Sequence, residues 1–200
     1  MKEVVTAEDV WAAPAGGELR ASVGAVVTAW AQEVADTRGV RIVQAPRDPP
    51  SRVVALGADH GGYALKEKLK AGLDRLGVPY RDLGTFSTEP VDYPDLALAV
   101  ARAVRSGEAA AGILVDGAGI GSSMAANKVP GVRAALCVDV DAARNAREHN
   151  DANVLTLGAR FVDEARAQEI VAAFLGTSCT EERHQRRVAK ITAIEESFRK

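Results

Sequence analysis

From residue 52 onward, short apolar runs alternate with stretches whose apolar residues recur every three or four positions. The runs at 52–57, 79–83, 111–115, 131–138 and 153–158 predict five strands. Leu65, Leu69, Leu73 and Leu76 mark one face of a helix over 63–76. Further helical patterns cover 95–105, a stretch after Gly121, 141–150, 163–175 and 181–198, with Asp95, Asp141 and Asp163 as starting residues. Strands that alternate with helices imply parallel pairing with right-handed crossovers and helices on both faces. The expected class is α/β, a Rossmann-like three-layer α/β/α fold with a five-stranded parallel sheet and a small N-terminal extension.

Residues 1–48 follow a different rhythm. Thr6 and Asp9 have the spacing of a helix cap, Pro14–Gly17 breaks that helix, and 18–27 has room for a strand. Thr28 caps a second helix that Gly39 ends, and 40–43 reads as another strand. The run Pro46-Arg-Asp-Pro-Pro50 is a stiff linker, so a small module at 1–48 precedes a main domain at 51–200. Both tryptophans, Trp11 and Trp30, lie in this module and are expected to form its small core, with anchoring of a partner by one of them as the alternative.

Composition narrows the function classes. A net charge of −2 leaves no electrostatic footprint for nucleic acid. No apolar run is long enough to span a bilayer, and a secretory pattern is absent. Cys137 and Cys179 are too few for a disulfide framework and lack metal-ligand spacing; with Cys137 in an apolar run, a cytoplasmic, reducing compartment is expected.

Candidate chemistry concentrates where strands end. The strand over 111–115 runs into Asp116, and Gly117, Gly119 and Gly121 follow at alternate positions before a helix. Such a loop aims several N–H groups at one spot and suits an anion, either a phosphate or a developing oxyanion. A carboxylate beside it either makes a proton-transfer pair or caps the loop while the glycines make the turn. Asp59 and His60 follow the first strand of the domain, so all of these residues fall at strand carboxyl ends, where open α/β sheets bind ligands. Ser122 stands where a dinucleotide fingerprint needs its third glycine, and no ATP-type loop is present. His149 ends one helix just before a strand, and His184 opens the last helix between Arg183 and Arg187, whose i, i+4 spacing suits a phosphate.

The segments 58–66 (ADHGGYALK), Asp92-Tyr-Pro94, 112–121 (GILVDGAGIG), 125–128 (AANK), 148–155 (EHNDANVL) and Arg183-His-Gln-Arg-Arg187 resemble, in order, the type B ribose-5-phosphate isomerase family, which also contains galactose-6-phosphate isomerase subunits. The resemblance spans residues 52–198. It implies aldose–ketose isomerisation of a sugar phosphate without metal or cofactor, most simply ribose 5-phosphate to ribulose 5-phosphate. It also implies a homodimer or tetramer with active sites at the subunit interface. Carried over by position, Asp59 and His60 would bind sugar and phosphate, and His149, with Asn150 beside it, would assist ring opening. Gly117, Gly119 and Gly121 would supply N–H donors to an enediolate. Arg160, Arg183, His184 and Arg187 would serve the phosphate end, some from a partner subunit.

The departure lies at the centre. Many members carry cysteine, their base, at the position of Asp116, others use a glutamate at that of Ser122, and Ala118 stands where threonine or serine is common. One account makes Asp116 the base; a carboxylate of ordinary pKa, about 3.9, is weak, and burial against the strand would strengthen it. The other makes the chain a non-catalytic sugar-phosphate-binding or assembly subunit. A six-carbon sugar phosphate is the alternative substrate. Residues 24–42 are also similar to short segments of bacterial microcompartment-associated proteins, which implies targeting or assembly, beside the plainer role of a decoration that enlarges the dimer interface.

Overall fold

A computed structural model describes residues 4–22, 24–45 and 52–198, so the 46–50 linker lies outside the described residues. The chain divides into two compact units, 1–50 and 51–200.

In the first unit, β1 (Val4–Val5) pairs in parallel with β3 (Val26–Val27), and β2 (Glu18–Ser22) with β4 (Arg41–Ala45). The stretch 18–27 therefore holds two strands of two different sheets. Helix α1 (Ala7–Ala12) starts at a reciprocal cap: Asp9 N–H donates to Thr6 Oγ1, and Thr6 N–H donates to Asp9 Oδ2 at 2.8 Å. Helix α2 (Ala29–Arg38) is capped by Thr28 and closed by Gly39 in the left-handed region. The core is made of small residues: Val5, Ala7, Val10, Ala31, Val34 and Ala35 among them. That corrects the tryptophan expectation. Trp11 is 59% and Trp30 65% exposed, because each is the neighbour of a buried position and is turned about 100° away from it on its helix. Arg38 covers the Trp11 ring at 4.6 Å.

The second unit is a parallel sheet of β5 (Val54–Ala58), β6 (Tyr80–Asp82), β7 (Ala111–Asp116), β8 (Ala134–Leu136) and β9 (Val154–Gly158), ordered β6-β5-β7-β9-β8. The strand expected over 131–138 shrinks to three residues at the sheet edge. Helices α3 (Tyr63–Arg75), α6 (Val140–Asn150) and α7 (Glu164–Gly176) cover one face, against Leu56, Ile113, Leu155 and Leu157. Helices α4 (Tyr93–Ser106) and α5 (Ile120–Ala126) cover the other, against Ala55, Leu114 and Val154. Alternate residues of one strand thus serve two cores, which is why the runs read as continuously apolar. Helix α4 begins at Asp92, not Asp95, with Pro94 in its first turn, where a missing N–H costs nothing. It sits close to the sheet because Gly57 and Gly112 have no Cβ; one added there would lie 2.8 and 2.6 Å from the Val100 methyls. Helix α8 (Glu182–Ser197) packs on α6.

Candidate active site

The loop after β7 closes on its own carboxylate. Asp116 is 4% exposed. Its Oδ1 accepts the N–H of Ala118 at 2.7 Å and that of Gly119, and its Oδ2 accepts the N–H of Ser122 at 3.0 Å. Gly119 has φ +75, and a Cβ there would meet backbone of β9 at 2.9 Å, so the turn requires glycine. Burial is present, as expected, but apolar strand is not what surrounds the carboxylate: three N–H dipoles take the place of water. A carboxylate has about four lone-pair positions. Oδ1 uses both of its own and Oδ2 uses one, which leaves a single open position, on Oδ2. Gly119 N–H is thereby committed within the loop. Gly117 and Gly121 keep N–H groups with no acceptor among the described residues.

The neighbouring loops converge on this turn. Asp59 N–H donates to Val115 O at 3.1 Å, and the Asp59 carboxylate accepts Gly62 N–H at 2.9 Å, fixing the start of α3. Gly61 abuts Gly117; a Cβ on Gly61 would lie 3.5 Å from Gly117 N. His60 is exposed and meets the backbone of Val91, on the β6–α4 loop, through Nδ1 at 3.3 Å. The Tyr93 ring lies over Gly121, and Arg160 reaches Gly117, with Nε 3.6 Å from where a Gly117 Cβ would be. Asp59, His60, Asp116, Gly117, Gly119, Gly121 and Arg160 therefore share the crevice at the carboxyl ends of β5, β7 and β9.

His149, Asn150, Arg183, His184 and Arg187 do not. Helix α6 runs back against the sheet, so its end lies at the beginning of β9, roughly 13 Å of strand away from Gly158. There the His149 and His184 rings stack at 4.1 Å, 14° from parallel. His184 is 1% exposed and both of its ring nitrogens lack a hydrogen-bond partner. Burial, then the charges of His149 and Arg183, hold its pKa below the usual histidine value, against the pull of Glu181. His149 is open, with its Nδ1 3.0 Å from Asn145 Nδ2. The chain turns at Asp151 with φ +45, clamped by Arg133, which donates to its carbonyl at 2.8 Å and to its carboxylate at 2.7 Å. Within a single chain, Asp116 and His149 thus lie at opposite ends of the sheet.

Sequence reading assigned no role to Lys66, Tyr93 or Asn145. Lys66 is fully buried, and its Nζ donates to both Asp82 oxygens at 2.7 and 2.6 Å and to Thr85 O at 2.8 Å. It anchors the loop that leads to Val91 and so to His60. The i, i+4 spacing of Asn145 and His149 was the available signal for that pair. Among the described residues no group of His, Cys, Asp and Glu is arranged to hold a metal, and no helix is long and apolar enough to cross a membrane.

Comparison with known proteins agrees with this architecture. Residues 54–191 match the family model described as Ribose/Galactose Isomerase. The chain is 48% identical over 143 residues to ribose-5-phosphate isomerase B of Escherichia coli, covering 72% of this chain and 96% of that protein. The solved ribose-5-phosphate isomerase B of Clostridium thermocellum superposes with a TM-score of 0.72 at 48% identity, over 74% of this chain and 99% of that one. A Mycoplasma genitalium ribose-5-phosphate isomerase B solved with bound ribulose 5-phosphate gives 0.68 at 40% identity, over 72% and 96%. With a matching family model over most of its length, relatives near half identity and their sheet and helices reproduced, this chain belongs to the ribose/galactose isomerase family.

Proposed function

We propose that this chain interconverts ribose 5-phosphate and ribulose 5-phosphate, at sites completed by a second copy. The observation that carries the reading is the Asp116 turn, which sets one open carboxylate position beside the two unengaged N–H groups of Gly117 and Gly121. Asp116 Oδ2 takes the proton from C2 of the open-chain aldose. The N–H groups of Gly117 and Gly121 stabilise the enediolate, the O2 hydroxyl proton passes through water to O1, and Asp116 returns its proton to C1, so the aldehyde becomes an alcohol and C2 a carbonyl. Asp59 and His60 hold the sugar, with Arg160 nearby for negative charge. His149 and Asn150, for ring opening, and Arg183 and Arg187, for phosphate, come from the other copy, because their own chain holds them at the far end of the sheet; His184, also expected at the phosphate end, is buried beneath His149 and does not reach a phosphate.

A second reading rests on the same carboxylate. With three of four acceptor positions filled, Asp116 fits a loop-bracing role and the chain a sugar-phosphate-binding subunit. Conversion of ribose 5-phosphate by wild type and Asp116→Asn separates the two. Activity in wild type that falls at least 100-fold in the variant supports the base; full activity in the variant removes it. A wild type silent on ribose 5-phosphate but active on a six-carbon phosphate moves the substrate, and silence on both leaves the binding subunit.

The exposed Trp11 and Trp30 support an attachment role for the N-terminal unit, in the cytoplasm or a bacterial microcompartment. Deleting residues 1–48 then abolishes co-localisation with shell proteins and leaves isomerase turnover in place.

A further inference from the structure

We infer that Asn145 is a positioning residue that fixes the tautomer of His149, and that the buried His184 ring fixes its plane. The inference rests on the reading of His149 as the ring-opening residue. Asn145 and His149 are one helical turn apart on α6, and the Asn145 amide nitrogen lies 3.0 Å from His149 Nδ1. An amide N–H that donates to Nδ1 requires a lone pair there, so the imidazole proton sits on Nε2. Beneath it, His184 is stacked at 4.1 Å and enclosed. A ring with neither nitrogen hydrogen-bonded, and only the Glu181 carboxylate 3.6 Å from Nε2, forgoes most of the usual compensation for burial. Its contribution is therefore its face: it is a flat support beneath His149, and burial and the neighbouring Arg183 guanidinium oppose its protonation.

The consequence for chemistry is specific. His149 meets the furanose ring oxygen as a hydrogen-bond donor through Nε2–H. As the C1–O4 bond breaks, its electron pair goes to O4, where Nε2–H stabilises it. The O1 proton passes through water to O4, leaving an aldehyde at C1 and a hydroxyl at C4, with the imidazole unchanged. Loss of the Asn145 donor lets the proton redistribute to Nδ1 and removes the donor from the ring oxygen.

The test compares wild type, Asn145→Leu and His149→Asn on two substrates: ribose 5-phosphate, which is cyclic in solution, and 4-deoxyribose 5-phosphate, which cannot close a furanose ring. The histidine tautomer is read from 15N NMR. Asn145→Leu is expected to lower kcat/KM on ribose 5-phosphate about ten-fold, with the acyclic substrate within about two-fold of wild type. The Nε2–H population of His149 falls in parallel. An equal loss on both substrates, or an unchanged tautomer, overturns the assignment of Asn145. If His149→Asn impairs ribose 5-phosphate while Asn145→Leu matches wild type, only Asn145 is removed and the isomerase reading stands. If His149→Asn matches wild type on ribose 5-phosphate, the ring-opening role falls and this inference falls with it.

Discussion

Asp116 has two tasks that a substitution cannot separate cleanly. Its carboxylate is the hub of the β7–α5 turn as well as the proposed base. Asparagine keeps one oxygen and replaces the other with an NH2 group, which then points a donor at an N–H that was a donor already. Depending on the rotamer, either Ser122 or the pair Ala118 and Gly119 loses its acceptor. The expected cost in unfolding free energy is about 1–3 kcal/mol, read as a lower urea midpoint with unchanged slope. Lost turnover therefore points to a base only if the variant still binds sugar phosphate, which calorimetry measures directly.

At the scale of elements, the β6–α4 loop hangs on a buried charge cluster. Lys66 and Lys70 both reach Asp82, and Gly84 N–H donates to the same carboxylate at 2.9 Å. Burial pushes the Asp82 carboxyl up, but the hydrogen bonds from Lys66, Lys70 and Gly84 outweigh it and hold the group below the usual aspartate value. A depressed carboxylate stabilises the fold above its unfolded pKa, near 3.9, and that stability is lost as pH falls through the lower folded value. Wild type is thus expected to lose stability below about pH 4, whereas Asp82→Asn flattens this acid limb and is already weaker by about 3 kcal/mol at pH 7, because Lys66 is left buried with a poorer partner. Thermal melts across pH 2.5–7 give both numbers.

Elements were legible in the sequence where one pattern governed them. The runs at 52–57 and 111–115 gave β5 and β7 because both faces of those strands are buried, and the Leu65–Leu69–Leu73 stripe gave α3. Helix α4 began earlier than expected because Pro94 is a first-turn residue, not a stop. The cluster around Lys66 was not legible: its partner Asp82 lies 16 residues away, and a lysine in an amphipathic helix reads as solvated until the loop that covers it is placed. Trp11 and Trp30 misled for the opposite reason, since ring size predicts burial only where the core has room.

For the whole molecule, the separation of Asp116 from His149 by the length of a strand turns an active-site question into an assembly question. If a site takes Asp116 from one chain and His149 from another, Asp116→Asn and His149→Asn are each inactive, but a mixed dimer retains one intact site of its two. Random mixing makes half of the dimers mixed, so co-refolding equal amounts is expected to restore about a quarter of wild-type activity. A site contained in one chain restores none. The adjacency of Asp59, His60 and the Gly117 turn was readable from strand order; the position of His149 before β9 also placed it at the opposite end, yet only the run of α6 back along the sheet makes the distance plain.

A proton-transfer centre built on a carboxylate also has no sulfur to lose. Cys137, the thiol nearest the sheet, is buried, and burial together with Asp139 pushes it up to about 11, so it holds almost no thiolate at neutral pH. Cys179 lies ahead of α8, with the group at the other end of the sheet. If Asp116 is the base, as proposed, turnover is expected to survive an oxidative burst that would convert a cysteine at the same position to its sulfenic acid.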